Sequence, residues 1–144
     1  VENVVQDLSL RATQAGAKIS HNIPKHLIIT GNYTLLYSIF HNIVENAINY
    51  VEKAEIIIQL THQDPGNVYF SISDNGQGIP SDALAHIFER FYRVDKGRSR
   101  KAGGTGLGLS IVKHAVIFHG GKITAVNRTN GGLAFQFSLA HRTK

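Results

Sequence analysis

Hydrophobic positions recur along the chain in two periods, one close to 3.6 residues and one of two residues. The longer period predicts helices over residues 1–16, 32–50, 81–88 and 107–119. Short apolar or alternating runs predict strands over residues 18–22, 27–30, 55–60, 68–73, 122–128 and 133–139. Helices and strands alternate irregularly, and the late strands are joined by tight turns. We therefore predict an α+β fold, a two-layer sandwich with one mixed, largely antiparallel sheet and helices packed on one face.

The bulk composition is that of one globular domain covering residues 1–144. The hydrophobic fraction is 42% and the charged fraction 17%, both ordinary values. No apolar run approaches the roughly 20 residues that cross a bilayer, and no signal-peptide pattern opens the chain. The absence of cysteine excludes disulfides and thiolate metal sites, and none of the eight histidines belongs to a set with zinc-ligand spacing.

The net charge of +5 comes from one short stretch. Residues 90–101 hold six basic side chains against Asp95 alone, and the rest of the chain holds nine basic and nine acidic ones. A nucleic-acid binder usually spreads its positive charge over a face. One compact cluster favours a small polyanion, such as the phosphates of a nucleotide. A solvated basic loop is the alternative.

The helix predicted over residues 32–50 has an unusual polar face. Asn42, Glu45, Asn46 and Asn49 fall within an arc of about 100° when successive residues are turned by about 100°. Asparagine is a poor helix former, so a stripe of three needs an explanation. Short amides and a carboxylate facing a cleft can hold a hydrated Mg²⁺ ion. A partly buried helix with incidental asparagines is the alternative.

Two glycine-containing strings indicate close backbone approach to a ligand. DNGQGIP, residues 74–80, follows a predicted strand, and Asp74 at the strand end could accept from the amino group of adenine. GGTGLGLSIVK, residues 103–113, precedes a helix that begins near Gly106 to Gly108, where free N–H groups and the helix dipole attract anions. Thr105 adds a hydroxyl donor. A common turn and a flexible connection are the respective alternatives.

Together these motifs resemble those of a known family. The order of an asparagine-rich helix, DNGQGI, FERFYR, GGTGLGLSIVK and a Gly-Gly turn resembles the N, G1, F, G2 and G3 boxes of sensor histidine kinases, over about residues 17–140. The resemblance implies the Bergerat-type ATP-binding fold, shared with gyrase, mismatch-repair and chaperone ATPases. It implies that the chain binds ATP and Mg²⁺ and transfers the γ-phosphoryl group to a histidine on a dimerisation domain absent here. A response-regulator aspartate would then receive it.

The resemblance also assigns roles to individual residues. Asn46 would coordinate Mg²⁺, and Asn42 would lie nearby. The other residues implied to contact the nucleotide are Asn49, Tyr50, Asp74, Gly76, Gly78, Ile79, Arg93, Lys101, Gly104, Thr105, Gly106, Leu107 and Gly108. Among them Tyr50 would lie against the adenine, and residues 92–105 would form a lid over the triphosphate. Phe88 and Phe91 would pack at the base of this lid.

Two positions bear on the reaction type. Gyrase-type ATPases carry a water-activating Glu where this chain has Asn42, which argues for a kinase. Glu45 resembles an acid proposed to accept the histidine proton; a helix-supporting role is its alternative.

The chain departs from the family pattern at Asn49, where Lys is frequent. It departs again at Leu133 and Ala134, where Thr or Ser is common, which puts an adenine contact in doubt.

Further expectations concern the full-length protein. Residues 1–16 would connect to the upstream phosphoacceptor domain, since none of the eight histidines has an acceptor's setting. We expect a homodimer anchored in the bacterial inner membrane, with this domain in the cytoplasm and without nucleic-acid or direct membrane contact. The alternatives are a gyrase- or mismatch-repair-type ATPase, a serine kinase of the anti-sigma type, a non-transferring nucleotide-binding module, and a nucleic-acid binder.

Overall fold

The computed structural model describes residues 1–24, 27, 29, 31–90, 108–129 and 131–140. Three helices are described: α1 Glu2–Ala15, α2 Tyr33–Tyr50 and α3 Gly108–Phe118. Five strands are described: β1 Lys18–Asn22, β2 Glu55–Gln63, β3 Asn67–Ser73, β4 Ile123–Asn127 and β5 Leu133–Ala140.

The strands form one sheet in the order β1-β2-β3-β5-β4. Strand β1 pairs in parallel with β2, with Lys18 opposite Glu55. The other three pairs are antiparallel. The predicted mixed, largely antiparallel sheet and the α+β sandwich are therefore confirmed.

The core forms where the apolar side chains of the sheet meet those of α2. Buried residues of the central strands lie opposite one another, as in the pairs Ile58–Ile72 and Phe70–Phe137. Phe40 of α2 contacts both Phe70 and Phe137, with ring centroids 5.5 and 5.6 Å away. This packing fixes the rotation of α2, so its polar face points away from the sheet.

Local signals set the beginning and end of the helices. The Oδ1 of Asn32 accepts from the N–H of Leu35 at 3.0 Å, so the predicted N-cap is confirmed. Helix α1 ends at Gly16, which adopts the left-handed conformation. His119 joins the end of α3 to the start of α2: its Nδ1 bonds to the carbonyl of Ala115 and its Nε2 accepts from the N–H of Asn32.

Two predicted elements are wrong. Residues 81–88 form successive turns, with hydrogen bonds from Ala83, His86 and Glu89 to carbonyls three residues earlier, rather than a regular helix. So short a segment has little cooperative helical stability, and burial of Ala83 and Ile87 holds it instead. Leu27 and Ile29, the described residues of the predicted strand 27–30, lie in no strand but pack against the core.

No helix in the described ranges is long and apolar enough to cross a membrane. The segment predicted as a lid, residues 92–105, lies outside the described residues.

Candidate functional site

The polar face of α2 forms one wall of the candidate site. Asn42, Glu45, Asn46 and Asn49 are all half-buried, while Ile43, Val44, Ala47 and Ile48 on the opposite side are buried. The Nδ2 of Asn42 donates to the carbonyl of Ser38 at 2.9 Å, which leaves its Oδ1 as the group available to the site. The side chain of Asn46 makes no hydrogen bond to any described residue, so its amide is available to a ligand.

The start of α3 lies against this wall. A Cβ atom added to Gly108 would be 3.4 Å from the Oδ1 of Asn42. The N-terminal end of α3, the positive end of its helix dipole, therefore faces the asparagine stripe. The candidate anion site at the start of α3 and the asparagine stripe of α2 therefore lie side by side.

Asp74 stands at the other end of the site, directly after β3. Asp74 is only 7% exposed. Its Oδ1 accepts from the N–H of Gly76 at 2.9 Å and from that of Leu133 at 3.2 Å. Its Oδ2 has no partner in the part of the chain that the structure describes. A fixed, buried carboxylate with one open oxygen suits a ligand that donates a hydrogen bond, such as the adenine amino group.

Gly76 connects Asp74 to the end of α2. A Cβ atom at Gly76 would come 2.8 Å from the Cγ2 of Val51, the residue that follows Tyr50. Only glycine allows this approach. The C-terminal end of α2, where Tyr50 is half-buried, thereby lies next to the turn at Gly76. The site thus runs from Asp74 past the end of α2 and along its asparagines to Gly108.

Sequence reasoning missed two residues that shape the Asp74 end of the site. Asn127 forms two hydrogen bonds with the backbone of Ile79, and Arg128 donates from its Nη1 to the carbonyl of Asp74 at 2.6 Å. Gly78 has a φ of +77° and lies under the Asn127 amide. Asn127 is the last residue of β4 and Arg128 follows it. Both are far from residues 74–79 along the chain, and no local motif predicts the contact.

Sequence reasoning also missed Arg11, which contacts the outer edge of the asparagine stripe. Its Nη2 donates to the Oδ1 of Asn49 at 2.6 Å, and its Nη1 lies 3.4 Å from the Oε1 of Glu45. The Oε2 of Glu45 lies 3.4 Å from the Nε2 of His41. Glu45 and Asn49 are therefore at the rim facing α1, whereas Asn42 lies at the α3 side.

Some predicted site residues fall outside the described residues. They are Arg93, Lys101, Gly104, Thr105, Gly106 and Leu107. Of the two aromatic residues assigned to the lid base, Phe88 packs edge-on against Phe135 with centroids 6.0 Å apart, and Phe91 is not described. Leu133 and Ala134, where a hydroxyl was expected by resemblance, are both buried in β5.

A family model described as histidine kinase-, DNA gyrase B- and HSP90-like ATPase matches residues 31–143. The chain belongs to this family. Among similar sequences, the sensor-like histidine kinase SenX3 of Mycobacterium bovis is 33% identical over 139 residues. This alignment covers 96% of this chain and 34% of SenX3. The sensor protein VanS of Enterococcus faecium is 42% identical over 107 residues, covering 74% of this chain and 28% of its own length.

Solved structures agree with this family membership. The catalytic domain of the histidine kinase ThkA superposes with a TM-score of 0.84 at 26% identity, covering 98% of this chain and 90% of that one. Full-length ShkA in complex with AMPPNP gives a TM-score of 0.81 at 29% identity, covering 99% of this chain and 29% of that one. The chain is thus an ATP-binding catalytic domain of the sensor histidine kinase type, and it spans about a third or less of the curated relatives named here.

The donor set of this family member fits a magnesium ion. Within the described residues, no three His, Asp or Glu side chains form a metal-binding group. Mg²⁺ keeps several waters and takes one or two protein oxygens together with phosphates. The free amide of Asn46, beside Asn42, offers that kind of sparse oxygen ligand, so Asn46 would hold the ion and the nucleotide would supply the rest.

Proposed function

We propose that this domain presents Mg²⁺-ATP to a histidine of a dimerisation domain and catalyses transfer of the γ-phosphoryl group to it. The relatives are named sensor histidine kinases, and one structural neighbour was solved with AMPPNP, an ATP analogue. The observation that carries the proposal is that Asp74 and Asn42 lie at opposite ends of one site. Asp74 offers a buried acceptor for adenine, and Asn42 offers an amide where hydrolysis would need a base.

Adenine recognition is proposed to rest on the open Oδ2 of Asp74. The hydrogen bonds from Gly76 and Leu133 fix the other oxygen and so orient the carboxylate. An amino group that approaches Oδ2 would donate the hydrogen bond that this oxygen lacks. The absence of a side chain at Gly76 lets Val51, at the end of α2, pack against the turn that holds Asp74. Guanine presents a carbonyl at the corresponding ring position, which Asp74 would repel.

The triphosphate is proposed to extend along α2 towards Gly108. The helix N-terminus there favours negative charge, and Mg²⁺ held by Asn46 would neutralise phosphate oxygens. Arg93, Lys101 and residues 104–107 are proposed to complete the phosphate contacts. Phosphoryl transfer depends mainly on positioning and charge stabilisation, and this arrangement provides both.

The kinase reaction, rather than hydrolysis, is favoured by the groups near the γ-phosphate. The Asn42 amide is not a base, and its Nδ2 is held by the Ser38 carbonyl, so it cannot activate water. In transfer, a histidine ring nitrogen would form a bond to phosphorus as the bond to ADP breaks. The ring proton would pass to Glu45, whose side chain is 30% exposed.

The remaining parts of the proposal concern the full-length protein. We propose that residues 1–16 lead to the acceptor domain, that the protein is a homodimer, and that a response-regulator aspartate receives the phosphoryl group. The names of the relatives as sensor kinases support a response-regulator partner. We further propose a cytoplasmic position for this domain and an inner-membrane anchor elsewhere in the protein.

Incubation with γ-labelled ATP and a histidine-bearing dimerisation domain tests the proposal. Acid-labile, base-stable label on that domain, lost when Mg²⁺ is chelated, is the expected result. Steady release of phosphate without labelled protein would instead identify a gyrase-type ATPase. Nucleotide binding without label or hydrolysis would identify a non-transferring module.

A further inference from the structure

Helix α1 is joined to α2 by a row of polar contacts that ends at Glu45. The Nδ2 of Asn3 donates to the hydroxyl of Tyr33 at 2.8 Å, and one turn later the hydroxyl of Tyr37 donates to Asp7. Another turn along α1, Arg11 reaches the rim of the candidate site. The buried residues Val4, Leu8 and Ala12 lie beside this row and anchor α1 to the core.

We propose that Arg11 is a positioning residue that holds Glu45 for phosphoryl transfer; this rests on the proposed function. Asn49 binds one end of the guanidinium at 2.6 Å, and this bond directs the other end to the Oε1 of Glu45. Asn49 and Glu45 are one helical turn apart, so a planar, forked cation spans them well. On this reading Asn49 anchors Arg11 rather than binding nucleotide directly.

The carboxylate of Glu45 is thereby held on both sides. Arg11 lies 3.4 Å from Oε1, and His41 lies 3.4 Å from Oε2. The ring of His41 is itself stacked on Tyr37, with centroids 5.4 Å apart, and this contact favours the orientation that faces Glu45. A base held in one orientation is ready to accept a proton from an incoming histidine, whereas a free glutamate samples several rotamers.

A stability role alone does not account for this contact. The side chain of Arg11 is 47% exposed, and ion pairs with this exposure contribute little to folding. The contact is instead made to Glu45, the residue proposed above to receive the histidine proton. The contact also links α1 directly to Glu45, the residue proposed to receive the proton.

A double-mutant cycle with Arg11→Ala and Glu45→Gln tests this role, using the labelled-ATP transfer reaction. We expect Arg11→Ala to lower the transfer rate constant about fivefold, with ATP affinity changed less than about twofold. In the Glu45→Gln background the same change should have no further effect, because Arg11 acts through the carboxylate. Asn3→Ala, in the same row but at its far end, is the matched control and should leave the rate unchanged.

A rescue variant separates positioning from a general loss of charge on α1. In Arg11→Ala/Asn49→Lys, a lysine stands one turn after Glu45, in the favourable Glu-to-Lys orientation, and should restore most of the rate. An equal loss from Arg11→Ala with and without Glu45, or a weakened ATP affinity that accounts for the whole loss, would overturn the inference. If the wild-type chain binds ATP but transfers no label, the proposed kinase function fails, and this inference fails with it.

Discussion

The carboxamide of Asn127 forms two hydrogen bonds with the backbone of Ile79. Its Oδ1 accepts from the Ile79 N–H at 2.9 Å, and its Nδ2 donates to the Ile79 carbonyl at 2.7 Å. These bonds tie the end of β4 to the segment that follows Asp74. Gly78 makes room for them, because a Cβ there would lie 2.4 Å from the Asn127 Oδ1.

Asn127→Ala should therefore loosen the Asp74 end of the site, where adenine is proposed to bind. Two neutral hydrogen bonds of about 1 kcal/mol each are lost, and we expect ATP affinity to fall about fivefold to thirtyfold. Titration calorimetry with ATP measures the change. Thr124→Val, an exposed position on the same strand, is the control and should bind as the wild type does. Unchanged affinity of Asn127→Ala would mean that residues 76–79 keep their conformation without the clamp.

Gly132→Ala should unfold or strongly destabilise the domain. Gly132 has a φ of +99°, and a Cβ there would lie 2.0 Å from the Asp74 carbonyl oxygen, a backbone atom that cannot move aside. We expect a loss of about 3 kcal/mol or more in the free energy of unfolding. Gly66→Ala is the matched control: its Cβ would meet nothing nearer than 3.7 Å and its φ is not in the left-handed region, so urea unfolding should change by less than about 0.5 kcal/mol. Equal losses in the two variants would show that the close approach at Asp74 is not what requires glycine.

Much of the fold could be predicted from the sequence because its signals are local. The two-residue alternation over residues 55–60 and 68–73 predicted β2 and β3, and Asn32 marked the start of α2. The prediction of a helix over residues 81–88 was wrong, although Ala83 and Ile87 have helical spacing. Both are buried by contacts with the rest of the fold, and that does not require helical hydrogen bonds between them.

The parts of the site that could not be predicted depend on contacts between distant residues. Asp74, Asn42, Asn46 and Gly108 lie in motifs that a single segment reveals. In contrast, Arg11 meets Asn49 across 38 positions, and Asn127 meets Ile79 across 48. An arginine on an exposed helix face carries no local sign of its partner. Only the packing of α1 on α2 brings it to the rim of the site.

Tyr37 should give the domain a distinct loss of stability at alkaline pH. Its hydrogen bond to Asp7, followed by burial and the charge of Asp7, raises the pKa of Tyr37 from 10.0 to about 12. A pKa raised by folding means that the stabilisation is complete below pH 10 and disappears as the pH rises to about 12. The difference in unfolding free energy between wild type and Tyr37→Phe should shrink over that range.

Urea unfolding across the same pH range measures this difference, and ultraviolet titration follows the phenol directly. Asp7→Asn serves as the second variant, because it removes the anion and should return the pKa of Tyr37 towards its ordinary value. A wild-type difference that stays constant from pH 10 to about 12 would be incompatible with the Tyr37–Asp7 bond.

Asp74→Asn should impair ATP binding while preserving the fold. Asparagine can keep its Oδ1 on the N–H groups of Gly76 and Leu133, but its amide then places a donor where the open Oδ2 now stands. A donor facing the adenine amino group cannot form the proposed bond. Loss of a charged hydrogen bond of about 1.5–3 kcal/mol corresponds to a Kd raised about tenfold to a hundredfold.

Asp64→Asn is the matched control for this change. Asp64 also accepts from two backbone N–H groups, those of Gly66 and Asn67, but it lies in the exposed turn between β2 and β3. Calorimetry with ATP should therefore distinguish the two variants, with only Asp74→Asn weakened, while urea unfolding verifies that both are folded. If Asp74→Asn bound ATP as tightly as Asp64→Asn does, the open oxygen of Asp74 would have no part in adenine recognition. The base would then have to be held by groups elsewhere along α2.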